Sequence, residues 1–238
     1  MERIYTIFNR KLPDSLQDLL PGPGNVITFL NPYSLYKANE KPELYQEFSY
    51  IASDGILPLM LQRIFGIRKS QRYSFDMSGI AGQVFTYAAQ NHLKIYFIGS
   101  RREQIDQFIG LLTTAYPSLS VAGWRDGYIK GEEEKSCQTI LACNPDIVIV
   151  GMGTPLQDEF AIRLKHMSFK GTIYTCGGFM HQATQKLEYF PPWINKLHLR
   201  AFYRLYKEPY VRRRILLYYP KFIFQYSWFL LKNRKSLK

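Results

Sequence analysis

Three apolar runs in this chain end in glycine. Leu93–Ile98 (LKIYFI) is followed by Gly99-Ser100-Arg101-Arg102, Ile147–Val150 (IVIV) by Gly151-Met152-Gly153-Thr154-Pro155, and Thr172–Cys176 (TIYTC) by Gly177-Gly178. A fourth run, Val26–Leu30 (VITFL), stops at Asn31. In open α/β sheets, ligands gather at the carboxyl ends of strands. Glycine at such an end lets backbone N–H groups approach a phosphate, and the N-terminus of a following helix favours negative charge. Gly99, Ser100, Gly151 and Gly153 are therefore candidate contacts to a nucleotide or nucleotide-sugar, with Arg101 and Gln157 as side-chain donors. The same glycines also suit tight strand-to-helix turns, and the sequence leaves both roles open.

A carboxylate is the natural general base for a sugar hydroxyl. Asp54, in Ile51-Ala-Ser-Asp54-Gly55-Ile56, sits in apolar surroundings with glycine behind it. That pattern fits a carboxylate on a pocket floor, and equally a solvated Asp-Gly turn. Asp126-Gly127 is a second such pair. Other chemistries lack their signatures. The chain has no G-x-x-x-x-G-K-[ST] loop, no complete G-x-G-x-x-G, no G-x-S-x-G and no H-E-x-x-H. The four histidines (His92, His166, His181, His198) are scattered, and only His181, close behind Gly177-Gly178, lies near a candidate site. No metal site is expected. Cys137, Cys143 and Cys176 read as reduced thiols of a cytosolic protein. The opening residues, MERIYTIFNRKLPDSL, lack the apolar run of a signal peptide.

The elements that must position these residues follow from periodicity. The four apolar runs are nearly continuous, as in strands buried on both faces. Ile105, Phe108, Ile109 and Leu112 follow helical spacing, and further helices are expected over residues 82–91 and about 135–142. The segment before Val26, with Pro21-Gly-Pro-Gly24, reads as a loop. Strands alternating with helices predict a Rossmann-like α/β fold, a mainly parallel doubly wound sheet, over residues 1–195.

Residues 196–238 differ from the rest. They hold 12 of the 31 Lys+Arg, one of the 19 acidic residues and 11 of the 37 aromatics. This basic, aromatic segment is read as a helical appendage. It suits an anionic surface, and nucleic acid, a membrane surface or a solvated helix face are the three readings. Residues 215–231, ILLYYPKFIFQYSWFLL, carry more aliphatic bulk than a nucleic-acid arm. They are short for a spanning helix and are interrupted at Pro220. The membrane surface is the preferred reading, without nucleic acid.

Several segments taken together resemble the WecG/TagA/CpsF glycosyltransferases, glycosyltransferase family 26. They are Asn31-Pro-Tyr-Ser, Ser53-Asp54-Gly55, Ile95-Tyr-Phe-Ile-Gly99-Ser100 and Gly123-Trp-Arg-Asp126-Gly127-Tyr128. Further on come Gly151-Met-Gly153-Thr-Pro155-Leu156-Gln157-Asp158, Gly177-Gly178, and Phe202-Tyr203-Arg204-Leu205 with Glu208-Pro209. The resemblance runs from about Asn25 to Arg214. It implies an inverting, metal-independent transferase without a cofactor. Such an enzyme moves a sugar from a UDP-sugar to a polyprenyl-diphosphate-linked saccharide in the synthesis of bacterial capsule, exopolysaccharide, antigen or teichoic acid. It implies action at the cytoplasmic face of the membrane as a peripheral protein. A homo-oligomer is one of the partner states left open. By position, Asp54 is the implied base and Asn31 lines the same pocket. Gly99, Ser100, Gly127, Tyr128, Gly151, Gly153, Gln157, Asp158 and Arg204 are the implied nucleotide-sugar contacts. An arginine usual in the family is replaced at Asp76, with Arg72 as the nearest substitute, and a usual aspartate is replaced by His181. The alternative is a non-catalytic nucleotide-sugar-binding or scaffold subunit of such a pathway.

Overall fold

The computed structural model describes residues 1–67, 69–189, 194, 203, 205–206 and 209–237. Six strands form one parallel sheet: β1 (Val26–Leu30), β2 (Tyr50–Ser53), β3 (Lys94–Gly99), β4 (Ser120–Arg125), β5 (Ile147–Gly151) and β6 (Thr172–Thr175). Their order is β2-β1-β6-β5-β3-β4. The four runs expected from the sequence are β1, β3, β5 and β6, the inner four. Alternate side chains go to opposite faces, as the two-residue repeat of a strand requires. Ile95, Phe97, Ile147 and Ile149 enter one core with Phe85, Phe108 and Phe179, whereas Tyr96, Ile98, Val148 and Val150 enter the other with Phe8, Leu35 and Phe160. Both faces are thus covered by helices, as a doubly wound sheet demands.

Helices α1 (Glu2–Lys11), α2 (Pro32–Ala38), α3 (Pro42–Tyr45), α4 (Ile56–Ile64), α5 (Ala81–Gln90), α6 (Arg102–Ala115), α7 (Glu133–Ala142), α8 (Leu156–His166), α9 (Phe179–Gln182) and α10 (Pro209–Lys232) complete the described structure. The segment before β1 is not all loop. Ile4, Tyr5, Ile7 and Phe8 of α1 are buried, a spacing that forms one apolar helix face.

The C-terminal helix departs most from expectation. The expected boundary near residue 196 lies outside the described residues, but α10 packs on α1, α2 and α4. Phe222, Tyr226, Phe229 and Leu230 are buried in the same core as α1. Tyr5 meets Phe222, Tyr226 and Phe229 at ring-centroid distances of 5.9, 4.9 and 5.5 Å. Gln62 of α4 donates to Asn9 at 2.8 Å and to the Tyr226 hydroxyl at 2.9 Å, joining α1, α4 and α10 through a buried polar cluster. Residues 215–231 are therefore not solely an anchor, because one face of the helix is core. Nor does Pro220 break it. The helix continues through Pro220, with docked rings on either side (Tyr218 before, Phe222 and Tyr226 after) offsetting a local cost of about 3 kcal/mol.

Candidate active site

A cleft of about 430 Å³ opens at the carboxyl ends of β1, β2, β5 and β6. It brings together Asn31, Asp54, Gly153 and Gln157 with Arg72, Ser74, Asp76, Cys176, Gly177 and Gly178, and α10 adds Arg214 and Tyr219. Asn31 and Asp54 follow adjacent strands, paired in parallel from Ile27/Tyr50 to Leu30/Ser53. The Asp54 N–H donates to the Leu30 carbonyl at 3.1 Å. Asn31 caps α2, its Oδ1 accepting from the Ser34 N–H at 3.0 Å. Gly55 allows the two turns to approach: a Cβ there would stand 3.2 Å from Pro32 Cδ and 3.8 Å from Asn31 Cβ.

Arg72 reaches the same turn. Its Nε donates to the Asp54 carbonyl at 2.8 Å, and a terminal nitrogen donates to Ser74 Oγ at 2.8 Å and stands 3.7 Å from Asp54 Oδ1. The Asp54 side chain keeps 31% of its surface exposed and that of Arg72 keeps 20%. A carboxylate this open, with a cation beside it and a cleft in front of it, can accept a proton from a ligand hydroxyl. The described residues place no group of three or more His, Cys, Asp or Glu side chains where it could hold a metal ion.

The opposite wall is made by the ends of β5 and β6. Gln157, almost fully buried, accepts through Oε1 from the Gly153 N–H at 3.1 Å and the Gly177 N–H at 3.0 Å, tying the two loops together. These glycine N–H groups are thus engaged within the protein, contrary to their expected role as phosphate donors. The same holds for Ser100, whose N–H donates to the Gly151 carbonyl, and for Gly127, whose N–H donates to the Ser100 carbonyl. Among the described residues, the cleft-lining N–H groups of Thr154 and Gly178 have no hydrogen-bond partner, and neither has the amide nitrogen of Gln157. They are the donors this wall can offer an anion.

Gly99, Gly127 and Gly151 meet where β3, β4 and β5 end, beside the cleft and outside its lining. A Cβ on Gly99 would collide with the Gly151 carbonyl, and one on Gly127 would lie 2.7 Å from Met152 Cγ and 3.0 Å from Gly99 Cα. Close packing thus explains these glycines. Ser100 is left-handed at φ 57°. Tyr128, 70% exposed, hydrogen-bonds with Arg101 on the rim of this crest.

Asp158 is corrected more sharply. It is fully buried beneath the cleft floor and does not line it. Its carboxylate accepts from Thr28 Oγ1 at 2.7 Å and Tyr45 Oη at 3.1 Å, and also from Thr154. Burial pushes its pKa up to about 6 against those hydrogen bonds, which lower it. It is an internal brace between α8, β1 and α3. Arg204 lies outside the described residues. His181 does not line the cleft; its Nδ1 pairs with Gln104 Nε2 at 2.7 Å.

Sequence reasoning did not single out Tyr33, Thr154 or Tyr219. Tyr33 and Tyr219 line the cleft and Arg214 stacks on Tyr33, its guanidinium carbon 4.3 Å from the ring centroid. Tyr33 lies within the Asn31-Pro-Tyr-Ser segment, which places it beside the cleft. Tyr219 gave no such signal.

The sequence model described as glycosyl transferase WecG/TagA/CpsF family matches residues 7–236. That span takes in α1 and α10, well beyond the segments that carried the resemblance. The chain is 38% identical over 203 residues to a UDP-Gal:alpha-D-GlcNAc-diphosphoundecaprenol beta-1,4-galactosyltransferase of Shigella boydii, covering 84% of this chain and 85% of the relative. It is 27% identical over 219 residues, 90% of this chain and 82% of the relative, to an N-acetylglucosaminyldiphosphoundecaprenol N-acetyl-beta-D-mannosaminyltransferase of Bacillus subtilis (strain 168). A protein of the same name from Staphylococcus aureus (strain NCTC 8325 / PS 47) is 25% identical, covering 86% of this chain and 77% of the relative. The family match spans nearly the whole described fold, with Asp54 facing the ends of β5 and β6 at its centre: the chain belongs to the WecG/TagA/CpsF family of glycosyltransferases.

Proposed function

We propose that this enzyme transfers a hexose, galactose first among the candidates, from its UDP-sugar to the GlcNAc of a polyprenyl-diphosphate-linked acceptor. The observation that carries this reading is the placement of Asp54 across one cleft from the Thr154, Gln157 and Gly178 donors. The donor diphosphate lies against those donors, and the uridine extends toward the crest of Gly99, Ser100, Gly127 and Gly151 and the exposed Tyr128. Asp54 takes the proton of the acceptor hydroxyl as its oxygen attacks the anomeric carbon. The bond from that carbon to the UDP oxygen breaks, and its electron pair leaves with UDP. One displacement inverts the anomeric centre. Neither a metal nor a cofactor enters this scheme, and N–H donors and arginine take up the developing diphosphate charge. Galactose is favoured over N-acetylmannosamine by the identities of 38% against 27% and 25% with the relatives so named.

The lipid-linked acceptor places the reaction at a membrane surface, and we assign the outward face of α10 to that surface on the cytoplasmic side. No helix among the described residues is long and apolar enough to cross a membrane. Leu217, Phe224, Trp228 and Leu231 of α10 are exposed, with the basic Arg213 and Lys221 at helical spacing along the same side. Aromatic and aliphatic groups flanked by cations suit an anionic lipid interface. Ile56, Met60 and Ile64, exposed at four-residue spacing on α4, extend the apolar surface.

The test is a donor screen. The protein is incubated with a short-chain lipid-diphosphate-GlcNAc and a panel of UDP-sugars, and UDP release is followed. Release with UDP-galactose is expected, and release with none of the panel contradicts the proposal.

A further inference from the structure

Among the described residues, the charged side chains lining the cleft are Asp54, Arg72, Asp76 and Arg214. Asp54 is the proposed base and Arg72 is turned on it. Arg214 lies over Tyr33. Asp76 has no part in the proposed transfer, yet its place is tightly set. It follows Phe75, whose ring is locked in the core beneath the cleft. That ring meets Phe29 of β1 at a centroid distance of 5.8 Å, Tyr174 of β6 at 5.1 Å and Phe179 of α9 at 6.0 Å. Strands β1 and β6 are neighbours, paired at Val26/Ile173 and Ile27/Tyr174, so Phe75 spans their seam. The turn itself is closed by backbone. The Ile80 N–H donates to the Ser74 carbonyl at 3.0 Å, and the Gly79 and Ala81 N–H groups donate to the Asp76 carbonyl at 2.9 and 3.2 Å. A Cβ on Gly79 would collide with the Ser74 carbonyl, so the turn requires glycine there. Asp76 is thus fixed, half-buried, on the cleft wall above the seam.

The seam bears on which part of a ligand Asp76 meets. The sheet order puts β2 and β1 on one half of the cleft and β6 and β5 on the other. Asp54 belongs to the first half, whereas Thr154 and Gly178 belong to the second. A base must touch the acceptor hydroxyl, so the Asp54 half is the acceptor half. On the proposed reading, the donor diphosphate lies against Thr154 and Gly178. The donor hexose joins that diphosphate to the carbon under attack, and it therefore bridges the two halves over the β1–β6 seam, beside Asp76.

We infer that Asp76 selects the donor by charge: it accepts hydrogen bonds from the hydroxyls of a neutral hexose and turns away UDP-sugars whose ring carries a carboxylate, the uronic acids. An ionised carboxyl is an acceptor only, with about four lone-pair positions. It can therefore hold Ser78, whose Oγ donates to Oδ1 at 2.7 Å, and take sugar hydroxyls as well. Hydrogen bonds to an ionised acceptor are stronger than neutral ones. A second carboxylate brought against Asp76 inside a cleft is repelled, and such a misplaced charge discriminates against the wrong ligand. Arg72, on the same segment, does not offset this, because its contacts are with Asp54 and Ser74. This inference rests on the proposed function, since it presupposes that the donor hexose lies between Asp54 and the β5–β6 wall.

The test compares three ligands on the whole chain by titration calorimetry: UDP, UDP-galactose and UDP-galacturonic acid. The two sugars differ only in the group at C6, CH₂OH against carboxylate. Wild-type protein is expected to bind UDP-galactose roughly tenfold or more tighter than UDP-galacturonic acid. Asp76→Asn keeps the shape and removes the charge. It should narrow that preference to within about threefold, with affinity for UDP itself within about twofold of wild type. Loss of a merely structural residue would weaken all three ligands together and leave their ratio alone. Asp76→Glu retains the charge and should retain most of the preference. An unchanged melting temperature checks that each variant is folded. Equal affinity of wild-type protein for the neutral and the acidic sugar would overturn the inference, and so would a preference that Asp76→Asn leaves intact. If UDP-galactose binds in preference through Asp76 but no galactose is transferred, the proposed function is contradicted and the charge selection stands.

Discussion

The two halves of the cleft are built from different materials. On the β5–β6 half, the groups facing the ligand are backbone N–H donors and the amide of Gln157, fixed by the sheet and by the buried brace of Asp158. On the β1–β2 half, they are side chains: Asp54 held by Arg72, and Arg214 and Tyr219 brought in by a helix from the far end of the chain. A nucleotide diphosphate recurs with every donor and can be met by a rigid surface. A lipid-linked acceptor would arrive from a membrane, and the helix that lines this half of the cleft also carries an apolar outer face. On the proposed reading, the contrast separates a fixed donor wall from an acceptor wall coupled to the lipid surface.

The contrast breaks most visibly at Asp54, which stands between the halves. Asp54→Asn keeps the shape and removes the base. A fall in kcat of roughly 10²–10⁴ is expected, with UDP affinity nearly unchanged; full activity would remove Asp54 from the mechanism. Next is the brace under the donor wall. Folding raises the pKa of Asp158 from 3.8 to about 6. Between those values the folded state holds a proton that the unfolded state has lost, so this group lowers stability as pH rises from about 4 to 6 and adds no slope above. The change corresponds to about 3 kcal/mol. Urea unfolding of Asp158→Asn at pH 4, 5, 6 and 7 should lack this component, and a wild-type slope retained in the variant would show that another group supplies it.

On the acceptor wall, Phe224→Ser with Trp228→Ser strips the outer face of α10 without touching its buried side. Binding to anionic liposomes should fall by roughly tenfold or more, with no change in UDP affinity. Co-sedimentation measures the first and calorimetry the second, and unchanged liposome binding would take the membrane role from this face. The smallest effect is expected at Gln157→Leu, which frees the two glycine N–H groups. A stability loss of about 1–3 kcal/mol should accompany a donor KM raised several-fold, while the acceptor KM moves little.

The sequence was more informative about the fixed wall than about the mobile-ligand wall. β1, β3, β5 and β6 are legible because burial on both faces makes them continuously apolar. β2, four residues ending in the buried Ser53, and β4, an edge strand whose six residues are only partly covered, lack that mark. Helix α1 carried its spacing at Ile4, Ile7 and Phe8 but was read with the loop that follows it. Asp54, Asn31, Gly153 and Gln157 meet in one cleft, as their positions after strands implied. Asp158 does not, because one residue along α8 turns the side chain by about 100°, from the cleft into the core. For α10 the difficulty is that both faces are apolar. Phe222, Tyr226, Phe229 and Leu230 point in, whereas Leu217, Phe224, Trp228 and Leu231 point out, and composition cannot sort them. Arg214 belonged to a run of three arginines, and only the structure separates it from Arg212.

If donor and acceptor occupy opposite halves with Asp54 on the acceptor side, attack comes from the face opposite the leaving UDP. The configuration of the new linkage tests this most directly. Product made from a UDP-α-sugar and the short-chain GlcNAc-diphosphate acceptor is examined by proton NMR at its anomeric position. A β linkage is the predicted result. An α linkage would contradict the single displacement and, with it, the division of the cleft between donor and acceptor.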